Sequence, residues 1–302
     1  MEMSTLIFIC SLMMDSKTLW ISPFTYYLVQ SISSMLMIFS ILFLIYTPLS
    51  QFMIIPFYIM MFSFLMKLAM FPFMAWQIFS IKFTSWMNIF LMTSIQKLIP
   101  MMFLLNLNLM KIYFLFSAML TALTSSLIMF NELNMKKIMN LSSMINSSWM
   151  MFLIFNNSIS WIIYIIIYFM INFLMFIFLN KFNLNFLIDF NKMNFSMSEM
   201  IILSMIILSL MGFPPFPGFF IKFITLNELN LNKEFLCSMF MIFSSFFSMF
   251  NYLRMIFYLL FTNQIKFKYN KYSYLKFNLK FNIYMMFILS MIIFPSSMII
   301  WT

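Results

Sequence analysis

Four basic residues lie inside long apolar stretches of this 302-residue sequence: Lys67, Lys97, Lys222 and Arg254. A charged side chain near the centre of a membrane-spanning helix costs about 2.5–3.5 kcal/mol. An amine removed from water favours its neutral form, and it can then take up and release protons near neutral pH. The three lysines therefore indicate proton transfer. Arg254 is expected to extend its side chain to the membrane surface instead, and this explanation also remains open for Lys67.

Carboxylates that could pair with these cations are few. Glu2 begins the first apolar stretch, Glu199 begins a later stretch, and Glu228 follows the end of that stretch. Glu2 is the candidate partner for a buried lysine. The alternative is that a residue so close to the N-terminus is simply solvated.

A cluster of helix-breaking residues interrupts one apolar stretch. It holds both glycines of the chain and three of its nine prolines: Gly212, Pro214, Pro215, Pro217 and Gly218. These residues weaken or end a helix, so we predict a broken span near 212–218. Irregular backbone at membrane depth is tolerated where it lines a cavity or is buried in protein, and interrupted helices often mark ion paths. Because Lys222 follows closely, we favour an ion path over a plain loop between two short helices.

Hydroxyl and amide side chains cluster between residues 140 and 149, and they include Ser142, Ser143 and Asn146. Inside a span, such a cluster can order a file of water molecules. Hydrogen bonding between helices explains the same pattern equally well. The sequence leaves both interpretations open.

The elements that hold these residues must be membrane helices. Hydrophobic residues make up 64% of the chain and charged residues 8%, whereas soluble domains contain about 25% charged residues. The apolar stretches are continuous, which favours helices of about 20 residues over alternating strands. We therefore predict an all-α protein, a polytopic transmembrane helical bundle of about ten spans forming a single domain over residues 1–302. The predicted spans are a shortened one at 1–14, then 24–46, 52–72, 86–105, 110–130, 135–156, 159–180, 199–226, 235–261 and 282–302.

Residue types that are rare in the chain exclude several kinds of site. The sequence has no histidine, which excludes histidine-ligated haem, copper and Rieske centres. Cys10 and Cys237 are far apart and cannot build a metal cluster, and two glycines cannot build a nucleotide-binding loop. We therefore expect no metal and no cofactor bound by this chain, with phospholipids as the expected ligands.

The lysines outside the spans are distributed unequally if the spans alternate in direction. One side holds only Lys111 and Lys233. The other side holds Lys17, Lys82, Lys136, Lys137, Lys181, Lys192, Lys266, Lys268, Lys271, Lys276 and Lys280. This asymmetry predicts that the lysine-rich loops face the compartment of synthesis. The abundance of methionine is typical of animal mitochondrial genes, so that compartment is expected to be the matrix. For the last loop we favour contact with anionic lipid over nucleic acid.

Four segments and one lysine together resemble a known family. The segments are 67–76, 96–100, 136–143 and 212–219, and the last is followed by Lys222. In order and spacing, over roughly residues 1–260, they resemble the antiporter-like membrane subunits of respiratory complex I, NADH–ubiquinone oxidoreductase, and within that family the subunit 2 branch.

The resemblance implies a proton-translocating subunit of the mitochondrial inner membrane that has no redox centre of its own. NADH, FMN, iron–sulfur clusters and ubiquinone would be bound by other subunits, and the partners would be neighbouring membrane subunits and lipids, with no nucleic acid. Carried over by motif, the proton-transfer residues are Glu2 paired with Lys67, then Lys97, and Lys222 on the broken helix.

The chain also departs from the family pattern. Met74 and Asn146 occupy places where the family usually has histidine, and neither side chain titrates. The family's first helix is expected to be absent, since this chain begins within the glutamate helix. Two alternatives therefore stay open: a structural scaffold of the same complex without active pumping, and a stand-alone cation/proton antiporter.

Overall fold

A computed structural model describes the backbone of residues 2–14, 20–46, 54–105, 111–156, 158–192 and 195–267. Within these ranges, the side chains of a few terminal residues are outside the description; they are Glu2, Met3, Ile54, Ser158, Lys192 and residues 261–267.

The described residues form thirteen α-helices. In chain order they are α1 (Glu2–Met14), α2 (Ile21–Tyr46), α3 (Ile54–Leu68), α4 (Ala75–Ile81), α5 (Trp86–Thr93), α6 (Ile95–Leu104), α7 (Lys111–Asn131), α8 (Met135–Asn156), α9 (Ser158–Phe182), α10 (Asp189–Lys192), α11 (Met197–Met211), α12 (Pro217–Leu231) and α13 (Phe235–Phe267).

The predicted all-α membrane bundle is confirmed. Six of the described helical segments are long and apolar enough to cross a membrane: α2, α5 with α6, α7, α8, α9 and α13. Helices α1, α3 and α11 are apolar but shorter. Nine of the ten predicted stretches therefore coincide with helices, and the tenth, 282–302, lies outside the described residues.

Helix α8 lies at the centre of the bundle. It is buried along almost its whole length, and it packs against α4, α5, α6, α7, α9, α12 and α13. Its serines and asparagines explain this position, because polar side chains in a membrane protein face other helices rather than lipid. Helix α2 is peripheral, with large side chains such as Trp20, Phe24 and Met35 exposed at or near it.

Two spans are interrupted rather than one. The predicted break near 212–218 is present, because α11 ends at Met211 and α12 begins at Pro217. The stretch 86–105, predicted as one continuous span, is divided at Ser94 into α5 and α6. Pro100 lies inside α6 and removes one helix hydrogen bond, so the sequence held a signal for a distortion in this region.

Several lysines lie at one end of the bundle, where loop residues form hydrogen bonds with the start of α8. The backbone N–H of Met135, at the start of α8, donates to the carbonyl of Asn185 at 2.8 Å. At this end Lys137 pairs with Glu132, and Lys136 donates to the Thr84 carbonyl at 2.6 Å. Lys111 lies at the opposite end of α8.

The structure describes only some of the other lysines that were predicted to lie on the lysine-rich side. Lys181 belongs to the end of α9, where it pairs with Glu199 at the start of α11. Lys82 follows the end of α4, with its Nζ 5.5 Å from the centre of the Phe79 ring. The rest of these lysines, or their side chains, lie outside the described residues: Lys17, Lys192, Lys266, Lys268, Lys271, Lys276 and Lys280.

Candidate functional site

Lys97 is buried at the centre of the bundle, on the first turn of α6. Its side chain is 4% exposed, and its Nζ donates to the hydroxyl oxygen of Ser143 on α8 at 3.3 Å. The Ser143 hydroxyl in turn donates to the backbone carbonyl of Asn140 at 2.7 Å. Among the described residues Lys97 has no carboxylate partner. The Lys97 amine is therefore hydrogen-bonded to a neutral oxygen rather than to a carboxylate.

The break between α5 and α6 sets the position of Lys97. Ser94, between the two helices, bonds through its N–H to the Phe90 carbonyl at 3.0 Å. The Lys97 N–H donates to the Ser94 carbonyl at 3.2 Å. A small cavity of about 10 Å³ adjoins the lysine, which is about the volume one water molecule needs. Its polar lining comes from Thr93, Ser94, Lys97, Ser143, Ser147 and Tyr168.

The predicted polar cluster on α8 is buried and largely bonded. The Ser142 hydroxyl donates to the Met139 carbonyl at 2.7 Å. The Asn146 amide nitrogen donates to the Ser142 carbonyl at 2.9 Å, and its oxygen accepts from the Tyr164 hydroxyl on α9 at 3.0 Å. Hydrogen bonding between helices therefore occurs at Asn146 and at Ser143. A water file along these residues stays a prediction.

Lys67 lies in a second, larger cavity of about 280 Å³. It belongs to the last turn of α3, is 7% exposed, and its Nζ lies 3.8 Å from the Met37 sulfur. The end of α3 is fixed by Trp76, whose indole N–H donates to the Met66 carbonyl at 3.1 Å. The polar residues that line the cavity come from α1, α2, α3 and α6: Ser4, Thr5, Tyr27, Gln30, Ser31, Ser34, Lys67 and Gln96.

Helix α6 separates the two cavities. Gln96 lines the Lys67 cavity, and its amide nitrogen donates to the Ser4 carbonyl on α1 at 3.2 Å. The next residue, Lys97, lines the smaller cavity on the other side. Glu2 begins α1 two residues before Ser4, but its side chain lies outside the described residues. The Glu2–Lys67 pair therefore stays a prediction.

Lys222 lies against the broken helix. Its side chain is 9% exposed, and its Nζ donates to the Met211 carbonyl at the end of α11, at 2.9 Å. Gly212 has a φ of +80°, and a Cβ there would lie 2.9 Å from the Lys222 Nζ. A Cβ at Gly218 would lie 1.6 Å from the Ser209 carbonyl oxygen. Both glycines therefore permit close approaches, while Pro214 and Pro215 lie in the turn between the helices.

Arg254 differs from the three lysines. Its guanidinium donates to the carbonyls of Phe130 and Glu132, each at 2.8 Å, at the C-terminal end of α7. A cation at this position stabilises the helix dipole. The guanidinium thus lies at a helix end, as expected of a long cationic side chain, and it is not part of the lysine sites.

Several residues of the site were missed in the sequence. Gln30 and Gln96 line the Lys67 cavity, and Tyr164 and Tyr168 adjoin Asn146 and Lys97. Isolated amides and phenols in apolar helices were the available signal, because buried polar groups require partners. Met74, in a place where the family usually has histidine, is buried with its sulfur 3.5 Å from the Thr124 hydroxyl. Within the described ranges, no three cysteine or acidic side chains come together as a metal site would require.

Comparison with known proteins identifies the family. A model of the family described as NADH:quinone oxidoreductase/Mrp antiporter, TM, matches residues 4–248. NADH-ubiquinone oxidoreductase chain 2 of Artemia franciscana is 31% identical over 76% of this chain and 72% of the relative. Chain 2 of Anopheles gambiae is 29% identical over 70% of this chain and 63% of the relative.

Solved structures share the fold at low sequence identity. A chain of respiratory complex I from Thermus thermophilus superposes with a TM-score of 0.76 at 16% identity, covering 84% of this chain and 63% of that one. A chain of the Mrp complex from a Dietzia species gives a TM-score of 0.69 at 12% identity, covering 78% and 50%.

This chain belongs to the NADH:quinone oxidoreductase/Mrp antiporter family of membrane proteins. The resemblance carried by the lysine, proline and glycine motifs is thereby confirmed. The matched region covers only part of the length of these relatives. For example, it covers 63% of the Anopheles gambiae chain 2 protein.

Proposed function

We propose that this chain is a proton-translocating core membrane subunit of NADH–ubiquinone oxidoreductase in the mitochondrial inner membrane. Protons pass among Glu2, Lys67, Lys97, Lys222 and water, and quinone reduction in other subunits drives them. Family membership and the names of the chain 2 relatives support the proposal. The burial of three lysines within a bundle of membrane helices supports it independently.

The observation that carries the proposal is the environment of Lys97. A structural lysine at this depth would be expected to have a carboxylate partner, because an unpaired buried charge is strongly unfavourable. Lys97 instead bonds to the Ser143 hydroxyl and adjoins a cavity about as large as one water molecule. An amine held by a neutral oxygen can lose its proton without leaving a buried carboxylate unpaired. This arrangement suits proton exchange.

The two helix breaks support the same function. Lys97 follows the break at Ser94, and Lys222 bonds to the carbonyl of Met211, which the break leaves without a helix partner. Irregular backbone inside a membrane protein is favoured where it lines a polar cavity. Lys67 also lies beside irregular backbone, because α3 ends at Leu68 and α4 begins at Ala75. Each of the three lysines therefore adjoins a helix end, and at Lys222 a backbone carbonyl bonds the amine directly.

Glu2 completes the proposed path at the Lys67 cavity. Ser4 and Thr5, on the first turns of α1, line that cavity together with Lys67. We propose that the Glu2 carboxylate serves the same cavity as Lys67. If the two charged groups lie more than about 8 Å apart with no water or titratable group between them, screening removes their coupling and the pair is wrong.

We also propose the surroundings of the chain. By the positive-inside rule, the lysine-rich end faces the matrix. The exposed apolar side chains of α2 and α9 support contact with phospholipids and with neighbouring antiporter-like subunits. NADH, FMN, iron–sulfur clusters and ubiquinone are assigned to other subunits, as the family resemblance implies, and two cysteines without histidine cannot supply the four ligands of an iron–sulfur cluster.

The test is Lys97→Met in the assembled complex, with Lys181→Met as the matched control. Lys181 lies at a helix end with a side chain 59% exposed. We expect Lys97→Met to assemble and to slow proton pumping and quinone reduction by about a hundredfold or more, the range for loss of a positioned proton-transfer group. The control is expected to retain both activities. Proton uptake and NADH oxidation are measured together in sealed inner-membrane vesicles.

The same experiment decides between the proposal and its alternatives. An unchanged ratio of protons to electrons in Lys97→Met would contradict proton pumping through this chain and would support the structural scaffold. Recovery of the chain without the hydrophilic redox subunits, with cation/proton exchange by the isolated chain, would support the stand-alone antiporter.

A further inference from the structure

Asn140 is a buried amide without a protein partner. Its side chain is 0% exposed on α8, and neither its amide nitrogen nor its amide oxygen has a hydrogen bond to any described residue. Burying both ends of an amide without partners is unfavourable, and nearly all such groups in folded proteins bond to protein or to ordered water. A polar ligand at this position would satisfy both ends of the amide.

A second buried group without a hydrogen-bond partner among the described residues belongs to α5, which packs against α8. The indole N–H of Trp86, at the start of α5, is buried and has no partner among the described residues. The Trp86 ring lies 5.9 Å from the Lys136 Nζ, and Asn140 is one helical turn after Lys136. Together the two side chains offer donors and one acceptor. A buried water molecule needs two to four such partners.

The position of Asn140 gives this water a function. Asn140 lies one turn from Lys136 on one side and one turn from Ser143 on the other, so successive Cβ atoms are about 5–6 Å apart. Ser143 holds the Lys97 amine at 3.3 Å, and Lys136 lies half-buried where α8 begins, next to Thr84. Asn140 is therefore a buried polar residue of α8 that lies between Lys97 and the nearer end of this helix.

We propose that Asn140 and Trp86 bind a water molecule that relays protons between the Lys136 end of α8 and Lys97. The inference rests on the proposed function, since it requires Lys97 to exchange protons. When Lys97 is neutral, the Ser143 hydroxyl turns from the Asn140 carbonyl to donate to the amine. The water accepts a proton from the side of Lys136 and gives another to the Ser143 oxygen, while the proton that Ser143 held passes to the Lys97 nitrogen. That amine becomes an ammonium, and the water and the hydroxyl are unchanged at the end of the step.

The test compares Asn140→Leu with Asn140→Ser in the assembled complex. Leucine has a similar volume but binds no water, so we expect coupled proton pumping to slow about fivefold, the effect of losing one hydrogen bond from the path. Serine can still bond a water and is expected to restore most of the rate.

Trp86→Phe removes only the indole donor, and a smaller decrease in the same direction is expected. Asn251→Leu on α13 is the matched control, because Asn251 is also buried but donates to Phe247 within its own helix.

The variants separate this inference from the proposed function. If Lys97→Met abolishes pumping while Asn140→Leu pumps at the wild-type rate, the relay at Asn140 is wrong and the proposed function stands. If both variants pump normally, the proposed function is wrong as well. Thermal stability distinguishes a packing role: the relay predicts that Asn140→Leu is at least as stable as wild type while it pumps more slowly, whereas a packing role predicts parallel losses.

A density map of the wild-type complex at a resolution that shows water decides the matter even if Asn140→Leu fails to assemble. The expected result is a water peak within hydrogen-bonding distance of the Asn140 amide and the Trp86 indole nitrogen. Apolar side chains packed against both atoms, with no water peak, would overturn the inference.

Discussion

Lysines inside the bundle and lysines at its ends have different partners. At the ends, Lys137 and Lys181 pair with glutamates at 2.5 and 2.6 Å, and Lys111 pairs with a glutamate at 2.8 Å. Inside, Lys97 bonds to a serine hydroxyl at 3.3 Å and Lys222 to a backbone carbonyl at 2.9 Å. These three end lysines thus have ionic partners, whereas Lys97 and Lys222 have neutral ones.

The difference in partners separates lysines that stabilise helix ends from lysines that can exchange protons. A carboxylate stabilises the ammonium form, so a lysine paired with glutamate keeps its proton and fixes a helix end. A hydroxyl or a carbonyl can bond the ammonium, but it leaves no buried negative charge behind when the proton departs. The interior partners therefore suit a group that changes its charge during each cycle, as the proposed function requires.

The largest effect is expected from the glycine that brings the two halves of the broken span together. Gly218→Ala places a Cβ 1.6 Å from the Ser209 carbonyl oxygen, so the backbone must move, at a cost of about 3 kcal/mol or more. We expect the assembled complex to fall several-fold, as measured on native gels. Ser204→Ala, on the exposed face of α11, should assemble normally, and normal assembly of Gly218→Ala would show that Lys222 does not depend on this close packing.

An intermediate effect is expected when the neutral partner of Lys97 is removed. Ser143→Ala deletes the hydroxyl that accepts from the lysine. A hydrogen bond to a charged group is worth about 1.5–3 kcal/mol, so proton pumping should slow about tenfold or more while assembly persists. Proton uptake by vesicles measures the change, with Ser126→Ala on α7 as the control because that hydroxyl bonds within its own helix. Equal rates of proton pumping in the two variants would show that Ser143 is not part of the proton path.

The smallest effect is expected at the ends. Glu199→Gln removes the charge that pairs with Lys181 but keeps a residue that can complete the capping box with Ser196. Exposed ion pairs contribute about 0–1 kcal/mol, so the thermal stability of the complex should change little and pumping should not change. A loss of pumping comparable to that of Ser143→Ala would end the distinction between the two groups of lysines.

Much of this comparison was predictable from the sequence, because it depends on local properties. Lys97 and Lys222 stand out against apolar neighbours, and the Gly212–Gly218 cluster breaks a helix wherever it lies. The partners were not predictable. That Ser143 rather than a carboxylate meets Lys97, or that Tyr164 bonds Asn146, depends on how α6, α8 and α9 pack.

The second helix break shows the same limit. Pro100 weakens the helix around Lys97, but the proline alone does not say where the chain divides. The division falls at Ser94, whose φ of −117° and ψ of −75° depart from helix geometry although no glycine or proline stands there. Similarly, Gln96 and Gln30 approach Lys67 only because α2 and α6 meet across one cavity.

The most direct test of the account is the ratio of protons pumped to NADH oxidised in a Lys97→Arg complex. Arginine keeps the charge and the hydrogen-bond donors, yet it does not give up its proton at physiological pH. If Lys97 must lose its proton in each cycle, Lys97→Arg will assemble and lose coupled pumping to the same extent as Lys97→Met. A Lys97→Arg complex that pumps at the wild-type ratio would show that only the charge matters, and it would contradict the account.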